Sequence, residues 1–96
     1  MLKVKTGVRP KNLVIAAAAI NAASGLGFDV WITSGVDGAH KHNSKHYTYD
    51  ALDIRRFNIP AKLLDTYLTQ LRGRLGKDYD VVLEHDHIHV EYDPKV

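Results

Sequence analysis

All six histidines of this 96-residue chain fall into two short clusters, and carboxylates accompany them in both. The first cluster contains His40, His42, His46, Asp50 and Asp53, and the second contains Glu84, His85, Asp86, His87, His89 and Glu91. Imidazole and carboxylate groups bind metal ions and transfer protons. Because the chain has no cysteine, any metal would be held by nitrogen and oxygen ligands alone.

Alternating apolar residues and helical spacing predict the elements that must position these groups. The alternation predicts four strands, at residues 28–34, 51–55, 79–83 and 87–92. An Ala-rich helix is predicted to start near Pro10 and to stop before Gly25, and a second helix is predicted from Pro60 to Gly76. The expected fold is α+β, with a four-stranded, largely antiparallel sheet that has both helices packed on one face and a polar opposite face.

The polar face of this sheet is where a metal site is expected. Strand alternation places Asp53, His87, His89 and Glu91 there, and the predicted loop of residues 35–49 carries His46 over the same face. Two imidazoles and one carboxylate are the ligand set of a catalytic zinc site, whose fourth position is open to water. Zinc lowers the pKa of bound water to roughly 7, which suits metal-assisted hydrolysis.

Other groups in the two clusters have simpler interpretations. The Asp86 and Glu84 carboxylates are candidates for a general base near the metal. His42 and His85 are interpreted as solvated surface residues, whereas His40 is either solvated or close to the site.

Length and charge exclude several classes of protein. A chain of 96 residues is expected to form a single domain over residues 1–96, here as a monomer. The net charge is only +2 and the basic residues are dispersed, so nucleic acid is not an expected partner. No apolar run is long enough for a signal peptide or a bilayer span. We therefore expect a soluble protein that does not bind a membrane.

The segment from Ser44 to Asp53, SKHYTYDALD, resembles the S-x-H-x-x-G-x-A-x-D motif of the D-alanyl-D-alanine carboxypeptidase and dipeptidase family of zinc peptidases, whose fold is related to that of the Hedgehog domains. The later segment from Asp86 to Glu91, DHIHVE, resembles the family's closing histidine element. The chain is most similar to small phage or virus-associated members. It departs from the family at Tyr49, where the motif has glycine, and at Val36-Asp37, where many members have an arginine that binds the substrate carboxylate.

The resemblance implies that Zn²⁺ is bound by His46, Asp53 and the histidine of the closing element. If that histidine is His89, the catalytic base is Asp86 and His87 stabilises the oxyanion; if it is His87, the base is Glu84. The apolar residue and acid that follow His89 favour the first assignment. Ser44 and His40 are then expected to contact substrate.

The function expected from this resemblance is that of a zinc metallopeptidase that degrades the bacterial cell wall. It would hydrolyse a bond in peptidoglycan stem peptides or cross-bridges next to a D-amino acid, as a D,D-carboxypeptidase or endopeptidase of the endolysin type in a phage. The expected location is the host cytoplasm, with action on the cell wall, or the virion. The alternative is a non-catalytic zinc-binding domain of the Hedgehog-like type that binds a peptide or protein partner.

Overall fold

The structure is a computed structural model that describes residues 2–5, 13–34 and 51–94. Within these ranges there are five strands and two helices: β1 (Leu2–Val4), α1 (Leu13–Ala22), β2 (Val30–Ser34), β3 (Ala51–Arg55), α2 (Ala61–Leu75), β4 (Tyr79–Leu83) and β5 (His87–Tyr92). The α+β class expected from the sequence is confirmed. The predicted loop that carries His40, Ser44 and His46 lies outside the described residues.

The two helices bury different kinds of surface. α1 buries mostly alanine side chains, whose small size lets a helix approach its neighbours closely, together with Ile15. α2 is amphipathic and buries Tyr67, Leu68 and Leu71. It ends at Gly76, which has φ +85° and donates its N–H to the Arg72 carbonyl at 2.9 Å. A residue with a side chain would be strained at that φ, so glycine suits this helix end.

The five strands form one mixed sheet in the order β1-β2-β3-β5-β4. All neighbouring strands are antiparallel except β1 and β2, which are parallel. The sequence predicted four strands and missed β1, because a strand of three residues is too short for its alternation to stand out. Lys5 extends this pairing by donating its N–H to the Ile32 carbonyl at 3.0 Å.

One face of the sheet forms the core with both helices, as expected from the sequence. Val30 and Ile32 of β2, Leu52 and Ile54 of β3, and Ile88 and Val90 of β5 are at most 1% exposed and belong to the same cluster as the helix residues. Burial of a side chain of this size contributes about 1.5–3 kcal/mol to folding. Successive strand residues point to opposite faces, so Asp53, His87 and His89 must lie on the other face.

Tyr67 is the largest fully buried side chain among the described residues, and it connects the two helices. Its hydroxyl donates to the Ala19 carbonyl at 3.0 Å, and its ring meets Phe28 edge-on with the centroids 5.2 Å apart. Burial raises the pKa of this hydroxyl well above its usual value, so it remains a hydrogen-bond donor at any physiological pH. Neither described helix is long and apolar enough to cross a membrane.

Candidate metal centre

Asp53 and His89 form the centre of the candidate site. They are direct partners across the antiparallel pair β3 and β5, and their side chains project from the polar face. The His89 Nδ1 atom lies 2.8 Å from Asp53 Oδ1, and the two side chains are 21% and 17% exposed. Cross-strand partners are held at a fixed separation by the ladder hydrogen bonds, so the sheet itself sets this distance.

His87 adds a second imidazole, because it lies two residues before His89 and therefore on the same face. Its Nε2 atom lies 3.7 Å from the same Asp53 oxygen. The two imidazole rings are nearly perpendicular, at 86°, with centroids 6.5 Å apart. One ligand atom from each of Asp53, His87 and His89 lies within 4.8 Å of the other two, so the structure brings these three residues together as a candidate metal-binding trio.

The donor set and spacing of this trio fit a zinc ion. With metal–ligand bonds of roughly 2.0–2.1 Å, two ligands of a tetrahedral site lie about 3.3 Å apart. The observed distances of 2.8 Å from Asp53 to His89 and 3.7 Å from Asp53 to His87 bracket that value. The donor types and these two distances therefore suit zinc binding at this place.

Glu91 is hydrogen-bonded to the ring nitrogen of His89 that does not face Asp53. Its Oε1 atom lies 2.9 Å from His89 Nε2, so the imidazole is placed between two carboxylates. The hydrogen bond to Asp53 is the main cause that raises the pKa of His89 to about 9, with a smaller contribution from Glu91 and an opposing one from burial. A metal at Nδ1 would replace the proton shared with Asp53, while Nε2–H would still donate to Glu91.

The Asp86 carboxylate contacts the trio through His87. Asp86 Oδ1 lies 2.6 Å from His87 Nδ1, and this hydrogen bond is the main cause that lowers the Asp86 pKa from its usual value. His87 thus has Nδ1 turned to Asp86 and Nε2 turned to Asp53. Asp86, the base that the resemblance implies, is placed to orient this imidazole and to balance its charge.

Glu84, the alternative base, is placed differently. Its backbone closes the β4–β5 connection, because its N–H donates to the His87 carbonyl at 2.8 Å and its carbonyl accepts from Arg56 Nη1 at 2.8 Å. The side chain is exposed. Among the described residues, its carboxylate makes no hydrogen bond or ion pair with the trio.

A β-bulge in β2 lies beside Asp53, and the sequence did not predict it. Ile32 pairs with Ile54 but Ser34 pairs with Asp53, so Thr33 is the extra residue on β2. The Thr33 hydroxyl donates a long hydrogen bond of 3.5 Å to the Asp53 carbonyl. Bulges redirect side chains and are frequent next to active sites.

Glu91 is the partner of His89, a role that was not predicted from the sequence. The signal was the His89-Val90-Glu91 spacing, because residues two apart on a strand share a face. Asp80 lies across from Glu91 in the β4–β5 ladder. Asp80, Glu91 and Asp93 bring one carboxylate oxygen each within 4.8 Å of the others. Glu91 therefore belongs to this acidic group and also contacts the trio through its hydrogen bond to His89.

The remaining predicted site residues cannot be placed beside the trio. His46, the predicted first zinc ligand, lies outside the described residues, as do the predicted substrate contacts His40 and Ser44. His85 is exposed, as expected for a solvated residue, and its ring packs edge-on against Phe57 with the centroids 6.4 Å apart. The described part of the site therefore consists of Asp53, His87 and His89, together with the two carboxylates that orient the histidines.

No model of a known protein family matches this chain, and a search of the curated proteins finds no significant match.

Proposed function

We propose that the chain is a zinc-dependent peptidase that hydrolyses a bond in peptidoglycan stem peptides or cross-bridges, next to a D-amino acid. The observation that carries the proposal is the convergence of Asp53, His87 and His89 on one face of the sheet. The two sequence motifs support the choice of substrate, since they resemble those of D-alanyl-D-alanine peptidases.

Asp53 and His89 are the residues best placed to hold zinc, because they face each other directly at 2.8 Å and Glu91 fixes the His89 ring. His46 is the third ligand that the motif implies. The bound ion would polarise the scissile carbonyl and acidify the attacking water. In this arrangement His87 would lie beside the metal, because its Nε2 atom is 3.7 Å from the Asp53 oxygen.

Asp86 and His87 are proposed to act as a pair in proton transfer. A carboxylate whose pKa is lowered by a hydrogen bond is a weak base by itself, so Asp86 is poorly suited to accept the proton of water directly. His87 can accept or donate a proton at Nε2 while Asp86 accepts the Nδ1–H hydrogen bond and balances the imidazolium charge. The protonated ring can then stabilise the oxyanion of the tetrahedral intermediate.

In the alternative assignment, His87 takes the place of His89 as the zinc ligand. If His87 is the zinc ligand, Glu84 is the base by its position three residues earlier in the chain. Its exposed carboxylate would have to turn toward the trio, with which it makes no contact among the described residues. The direct 2.8 Å contact between His89 and Asp53 favours the first assignment.

Purified protein tests the proposal when it is incubated with peptidoglycan, with an excess of chelator and then with added Zn²⁺. We expect solubilisation of peptidoglycan and release of new peptide termini, their loss on chelation and their recovery with zinc. Mass analysis of the products identifies the bond. Full activity in excess chelator would overturn the zinc mechanism, and zinc binding without any hydrolysis would favour the non-catalytic peptide-binding alternative.

A further inference from the structure

A shallow depression of about 460 Å³ adjoins the trio on the polar face of the sheet. It is lined by Asp53 and His87 of the trio, by the basic residues Lys5 and Arg55, and by Thr33, Phe57 and Asp86. The volume is within the usual range for sites that bind small molecules or short peptide segments. A group bound here would lie next to the candidate metal position.

The topology explains why two basic residues meet at this place. β1 pairs in parallel with β2, and the Lys5 N–H bonds to the Ile32 carbonyl, so Lys5 continues β1 beside the bulge at Thr33. Arg55, on β3, lies directly across from His87. Lys5 comes from the one strand that the sequence did not predict, which is why its proximity to the site was not expected.

Neither basic side chain is neutralised within the described residues. Lys5 and Arg55 are exposed and form no ion pair there, whereas the nearby carboxylates of Asp53 and Asp86 are each hydrogen-bonded to a histidine. The Arg55 guanidinium lies over the Trp31 ring, 5.1 Å from its centroid, which restricts its position. A zinc ion would neutralise Asp53 as well and make this side of the site more positive.

Phe57 supplies an apolar wall beside these charges. Its side chain is 69% exposed, and its ring packs edge-on against the His85 ring. The Arg56 guanidinium donates a hydrogen bond to the Glu84 carbonyl. It also lies over the Phe57 ring, 5.7 Å from the ring centroid. The depression therefore combines two cations with an aromatic surface.

We propose that Lys5 and Arg55 bind a carboxylate of the peptide substrate close to the scissile bond, with Phe57 against the neighbouring side chain. This inference rests on the proposed peptidase function for the identity of the ligand. Charge-assisted hydrogen bonds from an arginine and a lysine to one carboxylate select strongly for the ionised group. The carboxylate is either the C-terminus of a stem peptide or the free α-carboxylate of its glutamate residue.

The test uses four forms of one stem pentapeptide, in which the C-terminal carboxylate and the glutamate carboxylate are each free or amidated. The zinc-loaded protein is assayed for hydrolysis and titrated with each peptide. Trp31 is the only tryptophan, and it contacts Arg55, so its fluorescence reports occupation of the depression independently of turnover. Amidation of the carboxylate that Lys5 and Arg55 bind should weaken binding about tenfold. Amidation of the other carboxylate should leave binding unchanged.

The variant Lys5→Gln/Arg55→Gln should bind the free and amidated peptides equally and should retain wild-type zinc affinity. The matched control is Lys62→Gln/Arg74→Gln, which removes two exposed charges from α2 and should keep the tenfold preference. The inference would be overturned if Lys5→Gln/Arg55→Gln still preferred the free peptide over the amidated one. It would also be overturned if the wild type showed no such preference. If no peptide is hydrolysed, the proposed function fails, and the fluorescence titration still decides whether these residues bind the carboxylate.

Discussion

Asp53 and His89 lie directly opposite each other in the β3–β5 ladder. A direct hydrogen bond of 2.8 Å joins Asp53 Oδ1 to His89 Nδ1, and both side chains are potential metal ligands. Residues 36 positions apart in the chain are thereby held together by the backbone ladder. A site built on paired strands is more rigid than one built on loops, which suits a metal centre.

Replacement of the histidines one at a time distinguishes the two assignments of the closing element. His89→Ala should lower zinc affinity by more than about 100-fold, because it removes a ligand, and His87→Ala should retain zinc but lower kcat about 10²–10⁴-fold, because it removes a proton-transfer group. Zinc content and kinetics on muropeptides measure the two effects. His85→Ala is the control for zinc content, which it should leave unchanged, since His85 is exposed and lies outside the trio. Loss of zinc in His87→Ala with retention in His89→Ala would transfer the ligand role to His87.

Glu91 is predicted to act as a positioning residue for His89. Glu91→Gln keeps the shape of the side chain but removes the charge that holds the Nε2 proton at 2.9 Å, so zinc affinity should fall about 10- to 100-fold. Competition with a chelating dye measures this affinity. Asp65→Asn removes a carboxylate from the exposed surface of α2 and is the matched control. Equal zinc affinities in the two variants would show that Glu91 does not support the metal ligand.

Most of the fold could be predicted because its patterns are local. The alternation in Ala51–Arg55 and His87–Tyr92 gave both the correct bounds of β3 and β5 and the correct polar face. The register between these strands was not predictable, since alternation fixes which face a residue occupies but not which residue lies opposite it. The Asp53–His89 pair depends on that register.

The site was only partly predictable for a related reason. The alternation in the sequence predicted that His87 and His89 share one face. The orientation of His87 Nδ1 toward Asp86 depends on side-chain torsion angles, which the alternation does not specify. The contribution of Lys5 depends on parallel pairing between β1 and β2, and three residues carry too little pattern to predict it. The roles assigned to His46, His40 and Ser44 stay predictions.

Tyr67 allows a test of the helix packing that is independent of the metal. Tyr67→Phe removes the hydroxyl that donates to the Ala19 carbonyl at 3.0 Å and leaves that carbonyl buried without its partner. We expect the free energy of unfolding to fall by about 1–2 kcal/mol, measured by urea denaturation, with no change in zinc affinity. Tyr92→Phe, at a residue that is 37% exposed, is the control and should have little effect. Similar losses in the two variants would contradict the role of the Tyr67 hydroxyl.

The stability of the metal-free protein should depend on the protonation of His89. Its ring faces the carboxylates of Asp53 and Glu91 and the imidazole of His87, and its pKa in the folded state is about 9, against 6.5 for an ordinary histidine. The folded state therefore retains a proton that the unfolded state releases between these values. This contribution to stability is complete below about pH 6.5 and is lost as the pH rises through about 9.

In excess chelator, the Tm of the wild type should fall by roughly 10–15 °C between pH 6 and pH 9.5 relative to His89→Gln, which has no titrating group at this position. The comparison removes the effects of lysine and tyrosine ionisation, because both proteins share those groups. Zinc should displace the same proton, so zinc affinity should rise with pH over this range and level off above about 9. Parallel pH profiles of Tm in the wild type and His89→Gln would show that His89 is not protonated between the two carboxylates.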